Sequence, residues 1–167
     1  MKTPTQAELQ QSMEHLAFEF YHFGLYGRQI QRRIAGGNKT YHESLHQAVG
    51  YEFLVHFRTL LGFFFATSGG DDDLLVSDFG ILPGFAAALP NRSAPAWVRG
   101  VRVQLNKRLA HITSLRWTER APAMNDYHEH FAEICSLISS FKAALPSDLR
   151  RQIESFEAKW AQRDSDL

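Results

Sequence analysis

The residues of this chain best suited to chemistry are His42, Glu43 and His46, in the run His-Glu-Ser-Leu-His. Histidines four apart on a helix point the same way, and a zinc ion held between them would let the intervening glutamate polarise a bound water. That is metallopeptidase chemistry, but its context is lacking. Glu43 also completes Thr40-x-x-Glu43, a capping box whose two side chains satisfy the first free amides of a helix. Val49 and Glu52 stand where a longer zinc motif would place a glycine and a third histidine. The broader reading is a metal-binding helical bundle centred on His42 and His46. A divalent metal is then the one cofactor the pattern admits, and the simpler expectation is no cofactor at all. His56 shares the same arc of the helix as His46 but lies about 15 Å further along it. A third ligand must therefore come from another helix, and His15, Glu19 and His22 form a candidate stripe. Glu19-x-x-His22 and Glu43-x-x-His46 each fit the Glu-x-x-His unit of di-iron bundles. Against all of these stands the structural alternative, histidines hydrogen-bonded at helix borders.

A second set of candidates lies further along. Between Arg92 and Arg120 the chain carries seven basic residues and one acid, Glu119. This basic stretch suits either phosphate groups or the acidic loop Asp71–Asp73. Within it Arg108 and His111, three apart, share a helix face and are the candidate catalytic pair. Arg108 falls towards an apolar edge, where a guanidinium needs a partner such as Glu52 or Asp78. Glu52, His56 and Arg58 likewise interrupt an otherwise apolar helix. Because buried polar groups must be satisfied, Arg108, Glu52, His56, Arg58 and Asp78 are read together as one interhelical polar network. Such a network serves as an internal lock or as a site, since structural ion pairs imitate active sites.

Helices must position these residues. Thr3-Pro4 is a helix start, and Leu9, Met13, Leu16, Phe20, Phe23 and Ile30 recur at helical spacing over about 30 residues, ending at Gly36-Gly37-Asn38. The organising helix runs from Thr40 to about Ala66, amphipathic at first and apolar on nearly every side beyond Phe53, as befits a helix surrounded by others. A short helix is expected over Asp72 to Phe79, favoured by the aspartates at its start. The Gly80–Pro95 stretch, with three prolines, reads as irregular. A long helix from Pro95 to about Trp117 follows, then one after an Asp126-x-x-Glu129 cap carrying Tyr127, Phe131, Ile134, Ile138 and Phe141. Pro146-Ser147 breaks it, and Leu149, Ile153, Phe156 and Trp160 mark the last helix. No stretch alternates with a period of two. The fold class is all-α, a single domain over residues 1–167 built as a bundle of about five or six helices.

Composition narrows the function. The 167 residues are 44% hydrophobic and 22% charged, with no net charge and a pI near 7.1. Disorder is not the default at these values, and neutrality argues against nucleic-acid binding through global charge alone. One cysteine, Cys135, allows no internal disulfide and fits a reducing compartment. The polar N-terminus is no signal peptide, and Phe53–Ala66, with His56 and Arg58 inside it, is too short and too charged to span a bilayer. A cytoplasmic protein with no membrane partner is expected. Aromatic content of 13% suggests apolar surface beyond a monomer core, hence a homo-oligomer.

Three phrases, Tyr51–Phe65 (YEFLVHFRTLLGFFF), Asp71–Phe79 (DDDLLVSDF) and Leu105–Trp117 (LNKRLAHITSLRW), resemble in their order a family of bacterial all-α proteins of uncharacterised role. More distantly the layout is similar to the HEPN superfamily of small helical bundles. That resemblance implies a dimer and, in many members, a metal-independent ribonuclease. Their arginine–polar–histidine motif would place acid/base and phosphate-binding roles on the stretch ending at His111. Asn106 stands at the polar position, and Leu105 stands where the arginine belongs. Bundles of the DinB family are a further likeness for His42-x-x-x-His46, with His15 or His22 as third ligand. Three functions follow: a HEPN-like bundle acting through protein or RNA contacts, a metal-binding bundle, or a ribonuclease using Arg108 and His111.

Overall fold

Helix formation begins at Thr5, two residues later than the Thr3-Pro4 signal implies. The computed structural model describes residues 3–36, 43–70, 73–89, 93–106, 109, 127 and 130–165; for Arg33 and residues 43–47 it describes the backbone alone. Helix α1 (Gln6–Gln11) is closed by a capping box: the Glu8 amide donates to Thr5 Oγ1 at 3.2 Å and the Thr5 amide to Glu8 Oε2 at 2.7 Å. At Ser12 the hydroxyl bonds back to the Glu8 carbonyl at 2.9 Å, and the single helix expected from the spacing divides there into α1 and α2 (Met13–Gly36). Helix α3 (Glu43–Phe65) follows, its Thr40 cap lying outside the described residues.

The expected helix over Asp72–Phe79 is instead a 3-10 turn, Val76–Ile81. Asp78 organises its start by accepting the Leu75 amide at 2.8 Å. The stretch read as irregular contains one short helix, α4 (Phe85–Ala88), entered through Gly84 at φ +76°, a conformation that favours glycine. Helix α5 spans Ala96–Leu105, and the rest of the long helix expected to Trp117 lies outside the description, apart from Asn106 and Leu109. Helices α6 (Phe131–Ala144) and α7 (Ser147–Ser165) flank Pro146 as the break requires. The fold is all-α, with no strand among the described residues.

Helix α2 lies between α3 and α7, α5 and the 3-10 turn pack on α3, α1 and α6 meet α2, and α4 meets the 3-10 turn and α6. Phenylalanines fill the interior. Phe141 of α6 meets Phe20, Phe63, Phe79 and Phe85 edge-on with ring centroids 4.9–5.7 Å apart, the geometry aromatic quadrupoles prefer. Phe23, Phe53, Phe57 and Phe131 form a second group. The 18 residues Ala48–Phe65 of α3 have the length and mean hydropathy (1.2) of a membrane span, so the apolar stretch is longer than Phe53–Ala66. More than half of it, 56%, is buried inside the bundle, as in the core helix of a water-soluble protein.

Where α2 meets α6 the approach is too close for a side chain. A Cβ on Gly27 would sit 2.0 Å from the Phe131 ring. Gly27→Ala should therefore cost about 1–3 kcal/mol by overpacking, despite alanine's better helix propensity. Thermal unfolding checks this: a lower Tm is expected, and an unchanged or higher Tm would refute the contact.

Candidate functional site

Glu19, His22 and Tyr26 lie three and four residues apart, so helical geometry lines them along one edge of α2, with Phe18 beside them. His56 approaches from α3 and Trp160 from α7. His56 is the one buried polar or charged residue among those described, 4% exposed, and its Nδ1 is 2.8 Å from Glu19 Oε2. A carboxylate only accepts, so this nitrogen carries a proton and donates it to Glu19. His22 is held in the same sense, its Nδ1–H donating to the Phe18 carbonyl at 2.9 Å. The two imidazoles stack with centroids 5.5 Å apart. Phe18 and Trp160 cover His22 from one side at 4.1 and 5.5 Å, and Tyr26 stacks on His56 at 5.9 Å.

One further hydrogen bond ties α7 to this seam. The Tyr21 hydroxyl donates to Asp164 Oδ2 at 2.7 Å. Burial, followed by that hydrogen bond, pushes the Tyr21 pKa up from 10.0 to about 12. Burial, and then the charge of Glu52, also raises Tyr26. Behind the seam, Lys142 Nζ holds the Glu157 carboxylate at 2.6 Å between α6 and α7.

The residues expected to form one polar network are placed apart. His56 pairs with Glu19, which the spacing had assigned to a metal stripe. Arg58 is exposed and donates from Nε to Asn106 Oδ1 at 2.6 Å. Asp78 caps its own 3-10 turn. Glu52 is exposed and reaches the seam only through its field on Tyr26. The reason is helical: residues two apart, such as His56 and Arg58, point about 200° apart around the axis. Their proposed fifth member, Arg108, and its neighbour His111 lie outside the described residues, as does His42. The side chain of His46 is likewise outside the description, and His15 is exposed.

Nδ1–H bonds to a carbonyl or carboxylate are the orientation in which a metal-binding imidazole is held. Yet among the described residues no three His, Cys, Asp or Glu side chains converge as a metal set. What the arrangement does do is satisfy a buried imidazole at a helix crossing and wrap it in rings. Sequence reasoning found Glu19, His22 and His56 but not their pairing, and missed Trp160 and Tyr21. The available signal was that Glu19 breaks an aromatic run, Phe18–Phe20, on the helix following the cap. No family model, curated protein or solved structure matches the chain.

Two outcomes follow from these contacts. Glu19→Ala strands the buried His56 Nδ1–H and should cost about 1–3 kcal/mol, whereas Glu19→Gln keeps an acceptor and should cost less than about 1 kcal/mol. Equal denaturation midpoints for the two variants would refute the pairing. The Tyr21 shift has a defined sign, because a raised folded pKa favours the neutral hydroxyl in the native state. Its contribution is complete below pH 10 and is lost as pH rises towards 12. In absorbance titration of tyrosinate, Tyr21→Phe should remove a late-titrating phase and flatten the alkaline loss of stability.

Proposed function

We propose that the protein is a helical interaction module of the cytoplasm, acting through contacts on the outer face of α3. The observation that carries this reading is the pair Tyr51 and Val55, 47% and 45% exposed on α3, a helix otherwise largely buried in the core. They stand one turn apart, so they form a continuous apolar face. Val103 of α5, 49% exposed, is a further solvent-facing apolar side chain on the helix beside α3. Large apolar side chains grouped on a surface mark contact sites more often than isolated ones do.

The face favours protein over RNA. Phosphate recognition needs cations in excess. Here the side chains beside Tyr51 and Val55 are Ala48, Glu52, Arg58 and Thr59, with one charge of each sign. The buried seam supports the same reading from the inside. His56 is almost wholly enclosed and its Nδ1 is already engaged, which is how an internal lock is built. The HEPN-like reading of the bundle stands with this proposal as an expectation of fold and mode of action, with contact and not cleavage as the activity.

The test is a photo-crosslinking amino acid placed at Val55, with the exposed Glu154 of α7 as the control position. A discrete protein adduct from position 55 and none from 154 is expected. An RNA adduct at 55, or equal labelling at both positions, would overturn the reading.

A further inference from the structure

Helix α7 meets the bundle along one stripe, Leu149, Ile153, Glu157, Trp160 and Asp164, spaced three or four residues apart. The chemistry of that stripe changes halfway. Leu149 and Ile153 are buried, and no described residue of α7 beyond Ile153 is. Neighbouring α6 shows the contrast, burying Phe131, Ile134, Leu137, Ile138 and Phe141 along nearly its whole length. The N-terminal half of α7 is therefore docked by apolar burial, and its C-terminal half by side-chain contacts at the edge of the bundle.

Three contacts hold that second half down. Glu157 meets Lys142 Nζ of α6 at 2.6 Å, and Asp164 accepts the Tyr21 hydroxyl at 2.7 Å. Between them Trp160 lies edge-on to Phe18 and His22, with centroids 5.3 and 5.5 Å away. Water replaces an ion pair or hydrogen bond at the edge of a bundle at small net cost. Elements held in this way open locally, at free energies well below that of global unfolding. Beneath Trp160, His22 stacks on His56 at 5.5 Å, and His56 in turn holds Glu19 at 2.8 Å.

We infer that the C-terminal half of α7 is a hinged cover. Residues 154–165 lift as one unit about Ile153 and open the Glu19–His22–His56 seam to solutes, while Leu149, Ile153 and the rest of the bundle stay docked. With the cover closed His56 is 4% exposed, so solutes gain the seam by way of α7. A second observation concerns what the lifted segment carries with it. Lys159 lies over the Phe156 ring at 5.1 Å and Arg163 over the Trp160 ring at 4.8 Å, each pair three residues apart within α7. These cation–π contacts add nothing to docking on α2, yet they keep one face of each ring covered when the segment is away from it. Access to the seam is also independent of what the outer face of α3 contacts.

Hydrogen exchange of the full chain, read by mass spectrometry, tests the cover. A detached helix of about twelve residues is marginal in water, so undocking exposes its amides. Residues 154–165 should exchange together, at least tenfold faster than α6. Tyr21→Phe and Glu157→Gln each remove one tie, and each should speed exchange across the whole stretch by one common factor, roughly three- to tenfold. Ethoxyformylation, resolved by peptide, is the second readout. His22 should react slowly in wild type and faster in both variants, with the exposed His15 unchanged as the internal control. Three results would overturn the cover: exchange over 154–165 as slow as in α6, or graded towards Ser165 as in simple fraying; a variant effect confined to the turn around the replaced residue; or His22 reactivity that neither variant moves.

Discussion

The bundle depends on how α3 is held. This helix is apolar around most of its circumference, so burial of hydrocarbon by itself gives weak preference for one rotation about its axis over another. His56 breaks that degeneracy. Turned to solvent, it would leave Glu19 without its partner at the α2 edge; turned inward, it finds a carboxylate at 2.8 Å and the rings of His22 and Tyr26 beside it. A buried polar pair contributes modestly to net stability, but misplacing either partner is costly. In α3 that asymmetry defines which residues face the core.

Much of the fold was legible because aromatic and aliphatic spacing is direct evidence of helices. Phe20, Phe23, Phe53, Ile134, Ile138, Phe141, Leu149 and Ile153 are all buried, each at a position the 3.6-residue period marks. Helix ends were harder. The Thr3-Pro4 signal lost to Thr5, whose capping box with Glu8 satisfies two amides at once, and no periodicity argument could see the backbone turn at Ser12. The acidic run before Val76 suggested an α-helix, but the backbone closes over three residues, with the Asp78 amide donating to the Leu75 carbonyl at 3.0 Å and the Leu82 amide to the Phe79 carbonyl at 2.9 Å, and the turn is 3-10.

The site was legible in its members and not in its pairings. Charged residues in apolar helices do identify themselves, so Glu19, His22, Glu52, His56 and Arg58 all stood out. Which of them meet depends on the relative rotation of α2 and α3, and one sequence does not encode that in any local pattern. Part of the error was avoidable. His56 and Arg58, two residues apart, cannot join one network inside a helix, and the helical angle alone separates them. Tyr21 and Trp160 could not be placed beforehand, because their partners are 143 residues away in the chain for Tyr21 and on α2 for Trp160.

The inner and outer faces of α3 are therefore one problem. Val55 and His56 are adjacent, about 100° apart around the helix, so whatever fixes the azimuth of His56 also fixes that of Val55. Rotating α3 by one residue to bury Val55 would expose the imidazole and swing Tyr51 and Arg58 off their flank. The Glu19–His56 pair thus does more than fill a helix crossing: it sets the register in which the outer residues are presented. On this view a polar group deep in the bundle governs the orientation of an outer face it never touches. A hydrophobic replacement of similar volume could preserve the stability of the fold while loosening the orientation of that surface, because packing alone tolerates rotations that the hydrogen bond does not.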